Sequence, residues 1–166
     1  ILDTFIQSGW RETEVVACLI ISKISSSISI AASIYIIQDV LRTPQRRNES
    51  IYHRIMLGVS TSDIIFALVQ FLSTWPMPKG SHKFSIGNES TCDAAGFMIS
   101  LAIVLTPLYN CSLATYYLLQ LKFSWVERKM KAAEKWLHLI PWTLSLLPAV
   151  VGVCTNALGP HGFICW

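Results

Sequence analysis

Four long apolar stretches, separated by charged connectors, leave this chain few folds to choose from. They run over about residues 15–38, 51–75, 94–121 and 136–155. A helix rises ~1.5 Å per residue, so ~20 residues cross the ~30 Å hydrocarbon layer of a bilayer, and each stretch reaches that length. Only 14% of the 166 residues are charged, against about 25% in an average soluble domain. The charges gather in the connectors, residues 39–50, 76–93 and 122–135. The expected fold class is therefore all-α: a polytopic membrane helix bundle with four transmembrane helices, in one domain covering residues 1–166.

Lys and Arg set the expected orientation. Arg42, Arg46 and Arg47 lie in the first connector, with Arg54 just inside the next span; Lys122, Arg128, Lys129, Lys131 and Lys135 lie in the third. The other side carries Arg11, Lys79 and Lys83. By the positive-inside rule the first and third connectors face the cytoplasm and the N-terminus lies outside, the arrangement of an integral membrane protein. Trp10, Trp75 and Trp166 then fall near the outer interface and Trp125 and Trp136 near the inner one, as an aromatic belt requires. The sequon Asn88-Glu89-Ser90 is placed outside, making Asn88 the expected glycosylation site. Asn48 and Asn110 also head sequons, but one is expected to be cytoplasmic and the other within a span.

Cys92 and Cys165 are the two cysteines expected outside, where disulfides persist; they form a bridge or remain two unpaired thiols. Cys18, Cys111 and Cys154 lie in spans and read as small apolar side chains. Asp63 falls midway along the second span, where a charged residue costs about 2.5–3.5 kcal/mol on insertion scales. It is a candidate switch or cation-binding residue, or a carboxyl hydrogen-bonded to neighbouring helices. Lys23, inside the first span, lies at nearly the same depth. Two outcomes are open for it: an ion pair with Asp63, or an ammonium snorkelling outward. Ser22, Ser26, Ser29 and Ser33 read as a packing seam on the first span. Thr106, Pro107, Asn110, Tyr116, Tyr117 and Gln120 mark the third as the most protein-surrounded helix. Pro107, Pro141 and Pro148 predict bends.

The sequence offers no catalytic motif. Its four histidines lack metal-ligand spacing, no nucleophile stands in a motif with a base, and no Gly-rich phosphate loop occurs. An enzyme is not expected, nor a metal centre. A formal charge of +3 gives no footprint for nucleic acid.

Taken in order, Asp63 within Leu57-Gly58-Val59-Ser60-Thr61-Ser62-Asp63, Trp75, Cys92 and Cys165-Trp166 resemble the first half of a seven-helix G-protein-coupled receptor. The Cys165-Trp166 pair, the Ser-rich first span and Tyr116-Tyr117-Leu118-Leu119 resemble the cyclic-AMP-receptor and secretin-like types. Where rhodopsin-type members carry Asp/Glu-Arg-Tyr, Tyr116-Tyr117-Leu118 stands here. The resemblance implies that Cys92 and Cys165 are bridged and that Asp63, with a hydroxyl from Thr106, could hold a sodium ion. It also implies a G-protein-facing loop around Trp125, Arg128 and Lys129. It implies a place in the plasma membrane and, as partners, membrane lipid, an extracellular ligand of unknown identity and a heterotrimeric G protein. With no initiator Met before Ile1 and Trp166 in an expected loop, the chain reads as a fragment containing helices one to four. Half of a transporter or channel using Asp63 and Lys23 is the alternative.

Overall fold

A computed structural model describes residues 12–42, 50–81, 84–125, 127–161 and 164–166. Trp10, Arg11, Arg46, Arg47, Lys83 and the Asn48 sequon lie outside the described residues. The four expected spans are present as α1 (Glu12–Arg42), α2 (Ile51–Leu72), α3 (Glu89–Leu121) and α4 (Glu127–Cys154). Each contains a window long and apolar enough to cross a membrane. A two-residue antiparallel pair, β1 (Pro160–His161) and β2 (Ile164–Cys165), follows α4. The fold class is the one expected, an all-α membrane helix bundle.

The helix ends depart from the sequence reading for local reasons. Helix α3 starts at Glu89, before the apolar run, because Asn88 and Thr91 form a capping box. The Asn88 carboxamide oxygen accepts from the Thr91 amide at 2.8 Å, and Thr91 Oγ1 accepts from the Asn88 amide at 2.8 Å. Helix α2 stops at Leu72, so Trp75 lies in the turn beyond it: Ser73 has φ +40°, and its amide closes back on the Val69 carbonyl. Helix α4 begins nine residues before Trp136, taking up much of the expected third connector. Its first turns hold Arg, Lys, Met, Ala and Glu, all good helix formers. Leaving the hydrocarbon layer does not by itself end a helix.

Helix α1 packs on α2, α2 on α3, and α3 on α4, with a smaller meeting of α2 and α4. The core joins Ile51, Ile55 and Val59 of α2 to Leu105, Tyr109 and Tyr116 of α3 and Met130 of α4. Along α2 and α3 these recur at intervals of four and seven residues, one face of each helix. Gly58 lets α2 approach α3 closely, since a Cβ there would clash with Cε1 of the buried Tyr109 ring. On α1 the buried residues are Leu19, Ser26, Ser33 and Val40, spaced by seven. The serine seam therefore holds for Ser26 and Ser33, whereas Ser29 faces outward. A seven-residue spacing is the seam of a left-handed helix crossing.

The remaining faces are apolar and exposed. Ile20, Ile21, Ile24 and Ile28 on α1 and Leu139, Leu144, Leu147 and Val151 on α4 are about half exposed or more. Such a surface is an aggregation hazard in water and the ordinary condition in lipid. It marks an integral membrane protein.

Candidate functional site

At one end of the bundle a disulfide organises the loops. Cys92 in the first turn of α3 bonds Cys165 on β2, at 2.02 Å between sulfurs and 5.2 Å between Cα atoms. Both are buried, with Met77 between α2 and α3 completing a small core. Leu158, in the segment after α4, packs against the open faces of Gly96 and Gly152. The Gly159 and Trp166 backbones exchange two hydrogen bonds of 2.8 Å beside the β1–β2 pair. The segment after α2 is held to the same place, because Thr91 Oγ1 reaches the Pro76 carbonyl at 2.8 Å. The Gly87 amide also donates to the Met77 carbonyl at 3.0 Å. Asn88 is exposed, so its carboxamide nitrogen is accessible while its oxygen caps the helix.

Lys23 and Asp63 do not meet, which corrects the ion pair considered above. The Lys23 ammonium donates to the Phe71 carbonyl at 2.5 Å and lies 4.5 Å from the Trp75 ring centre and 5.1 Å from that of Phe71. Phe71 is eight residues beyond Asp63 on α2, about 12 Å along the helix. The cation has gone outward to a carbonyl and two ring faces, the snorkelling alternative, with cation–π attraction in support.

Asp63 is half-buried on α2 with no ion pair among the described residues. Thr106 on α3 carries a buried hydroxyl without a hydrogen-bond partner. Taking Gly58 and Tyr109 as the level where α2 and α3 touch, Asp63 and Thr106 both lie toward the disulfide end. Their depths differ by about 3 Å. No cluster of three or more His, Cys, Asp or Glu suited to a metal occurs among the described residues. A carboxylate and hydroxyl are oxygen donors of the kind hard cations take.

The opposite end holds a polar assembly that sequence reasoning missed. Arg54 of α2 and Glu134 of α4 form a two-pronged ion pair, Nε to Oε1 and Nη2 to Oε2, the second at 2.7 Å. Their side chains are 27% and 18% exposed. One turn on from Glu134, His138 Nδ1 lies 3.2 Å from the Tyr109 hydroxyl, which also accepts from Trp142 Nε1 at 3.0 Å. Ser112 Oγ donates to the Leu137 carbonyl at 2.9 Å. Tyr52 packs beside Tyr116 and Tyr117, with ring centres 6.2 and 6.0 Å away. Arg54 entered the sequence reading only as part of the positive-inside count. The available signal was Glu134 and His138, four apart and so on one face of a helix.

Trp125 is exposed just before α4, its amide bonded to the Leu119 carbonyl at 3.2 Å. Arg128 and Lys129 are exposed but belong to the first turn of α4, so they stand on a helix and not in a loop.

The chain is 30% identical, over 142 of its residues, to the ascaroside receptor GPR3 of Arthrobotrys oligospora. The match covers 85% of this chain and 35% of the relative, so the chain spans about a third of that relative's length. No family model and no solved structure matches the chain. The narrower likeness to cyclic-AMP-receptor and secretin-like types gains nothing from this relative. Four apolar helices, the Cys92–Cys165 bridge and this similarity together support an integral membrane protein resembling G-protein-coupled receptors.

Proposed function

We propose that the chain supplies the first four helices of a seven-helix receptor that senses an extracellular ligand and activates a heterotrimeric G protein. The observation that carries this reading is the similarity to a receptor along 85% of the chain. On this reading the disulfide end is extracellular, the N-terminus is outside and the plasma membrane is the site of action. The relative is named for ascarosides, so these are the first ligands to try. The Cys165-Trp166 ending and Tyr116-Tyr117 keep a cyclic-AMP-receptor or secretin-like subclass as the narrower sequence reading.

Asp63 and Thr106 are proposed to hold a sodium ion, which would lend the carboxylate a counter-charge inside the membrane. Asn88 is proposed as a glycan acceptor, and Trp125, Arg128 and Lys129 as part of the G-protein-facing surface. The alternative, half of a transporter or channel, rests on Asp63 and Lys23 within the membrane; Lys23 is occupied by the Phe71 carbonyl, which leaves Asp63 to carry it. The deciding experiment is nucleotide exchange on purified heterotrimeric G proteins by the full-length receptor, with and without ascarosides. Exchange above the basal rate is expected; no exchange on any G-protein class, basal or stimulated, overturns the reading.

A further inference from the structure

Residues 122–135 carry five Lys or Arg against two Glu, a net of +3, which equals the formal charge of the whole chain. The rest of the chain therefore balances to zero, and its excess charge lies in this one segment. Of the two carboxylates, Glu134 is already held by Arg54. Lys122, Arg128, Lys129, Lys131 and Lys135 are all exposed. Because α4 starts at Glu127, four of these cations stand on a helix, where they cannot spread apart as they would in a loop.

Arg128, Lys131 and Lys135 recur at three- and four-residue intervals, and the same spacing continues through Leu139 and Trp142 to Leu146. All six are exposed, so one stripe of α4 passes from cations to apolar side chains, while Met130, Ser145 and Ala149 on another face are buried. Trp136, 54% exposed, stands at the junction, where an interfacial indole belongs. Arg128 and Lys135 are seven residues apart, about 10 Å of helix. The charges therefore lie within about one Debye length of the apolar boundary. Like charges at these intervals repel, and cations in the first turns of a helix oppose its macrodipole, which favours anions there. An anion lying along the stripe relieves both.

We propose that this stripe binds anionic phospholipid in the leaflet opposite the disulfide end, the cytoplasmic one in the orientation proposed above. The headgroup meets Arg128, Lys131 and Lys135, and an acyl chain lies along Leu139 and Leu146. Charge supplies the selectivity: a zwitterionic headgroup brings no net charge to a segment of +3, whereas an anionic one does. Basic clusters beside a membrane helix attract anionic leaflets in this way. The inference goes beyond the receptor reading, and only Arg128 belongs both to the stripe and to the surface proposed for the G protein.

The test uses the full-length protein carrying this chain, in phosphatidylcholine nanodiscs doped with photoreactive phosphatidylserine or, in parallel, photoreactive phosphatidylcholine. Each probe carries a diazirine on its acyl chain near the glycerol ester. Labelling mapped by mass spectrometry is expected on α4 between Lys131 and Leu146, about threefold or more heavier for phosphatidylserine. That preference should vanish in Lys131→Gln/Lys135→Gln and persist in Lys131→Arg/Lys135→Arg, which keeps the charge. High salt should weaken it, since exposed charges are screened. An unchanged thermal unfolding midpoint shows that each variant is folded. Equal labelling by the two lipids would make the stripe ordinary lipid-facing surface and overturn the proposal, as would a preference that survives the glutamine substitutions. Loss of nucleotide exchange in the glutamine variant in lipid-free detergent, with no phosphatidylserine preference in nanodiscs, would assign the stripe to the G protein and overturn it too. Because the lipid readout is cross-linking, its failure leaves the G-protein experiment standing, and failure of nucleotide exchange in the unaltered protein leaves a lipid preference in place.

Discussion

Arg54 and Glu134 are 80 positions apart in sequence, yet form the ion pair that joins α2 to α4. Half-buried between two helices near their polar ends, the guanidinium and carboxylate are held in a two-pronged, charge-assisted geometry. Arg54→Ala or Glu134→Ala should each destabilise the bundle by about 1–3 kcal/mol by removing this partly buried, charge-assisted pair. The exchange Arg54→Glu/Glu134→Arg should recover part of that loss. Thermal unfolding in nanodiscs measures both, and additive losses in the exchanged variant would show that the pair contributes nothing as a pair. Little of this site is legible in the sequence. Arg54 counts toward orientation whether or not it has a partner, and only packing selects Glu134 over the other carboxylates. Lys23 makes the same point in reverse: depths within about one helical turn of each other suggested Asp63, but depth along two helices does not fix which faces meet.

The elements follow the sequence closely in their middles and poorly at their ends. Hydropathy reports where lipid is, whereas caps and turn residues decide where a helix begins and stops. Asn88 illustrates this, serving as an expected glycan acceptor and as the observed cap of α3. Asn88→Ala should cost about 1 kcal/mol through loss of the cap. Asn88→Asp removes the sequon and keeps a capping oxygen, so it should be near neutral in stability. If Asn88 carries a glycan, both variants should abolish it as a shift in gel mobility after expression in a glycosylating cell. Equal destabilisation by the two variants would show that capping is not what Asn88 contributes. The signal for the longer α3 was present as Asn88 followed three residues later by Thr91. It was masked by the overlapping sequon. The early start of α4 was likewise written in helix-forming residues that charge made look like a loop.

For the whole molecule, the disulfide links positions 73 residues apart and so encloses most of α3 and all of α4. In the chain-entropy description a loop of that size is worth about 4 kcal/mol, an upper bound because helices already in a bilayer have less freedom to lose. Cys92→Ser/Cys165→Ser should lower the unfolding temperature and loosen the segment from Ala157 to Trp166, read as faster amide hydrogen exchange there. Unchanged exchange in that segment would mean that Leu158 and the Gly159–Trp166 hydrogen bonds suffice to hold it. By itself the sequence determined the membrane bundle, the number and middles of its helices, and two cysteines on one side. Those properties depend on local composition and on which groups lipid will accept. The Arg54–Glu134 pair, the outward turn of Lys23 and the seating of Tyr109 against Gly58 were decided by tertiary structure alone. Each depends on which faces of separate helices come together, and no stretch of sequence carries that information locally.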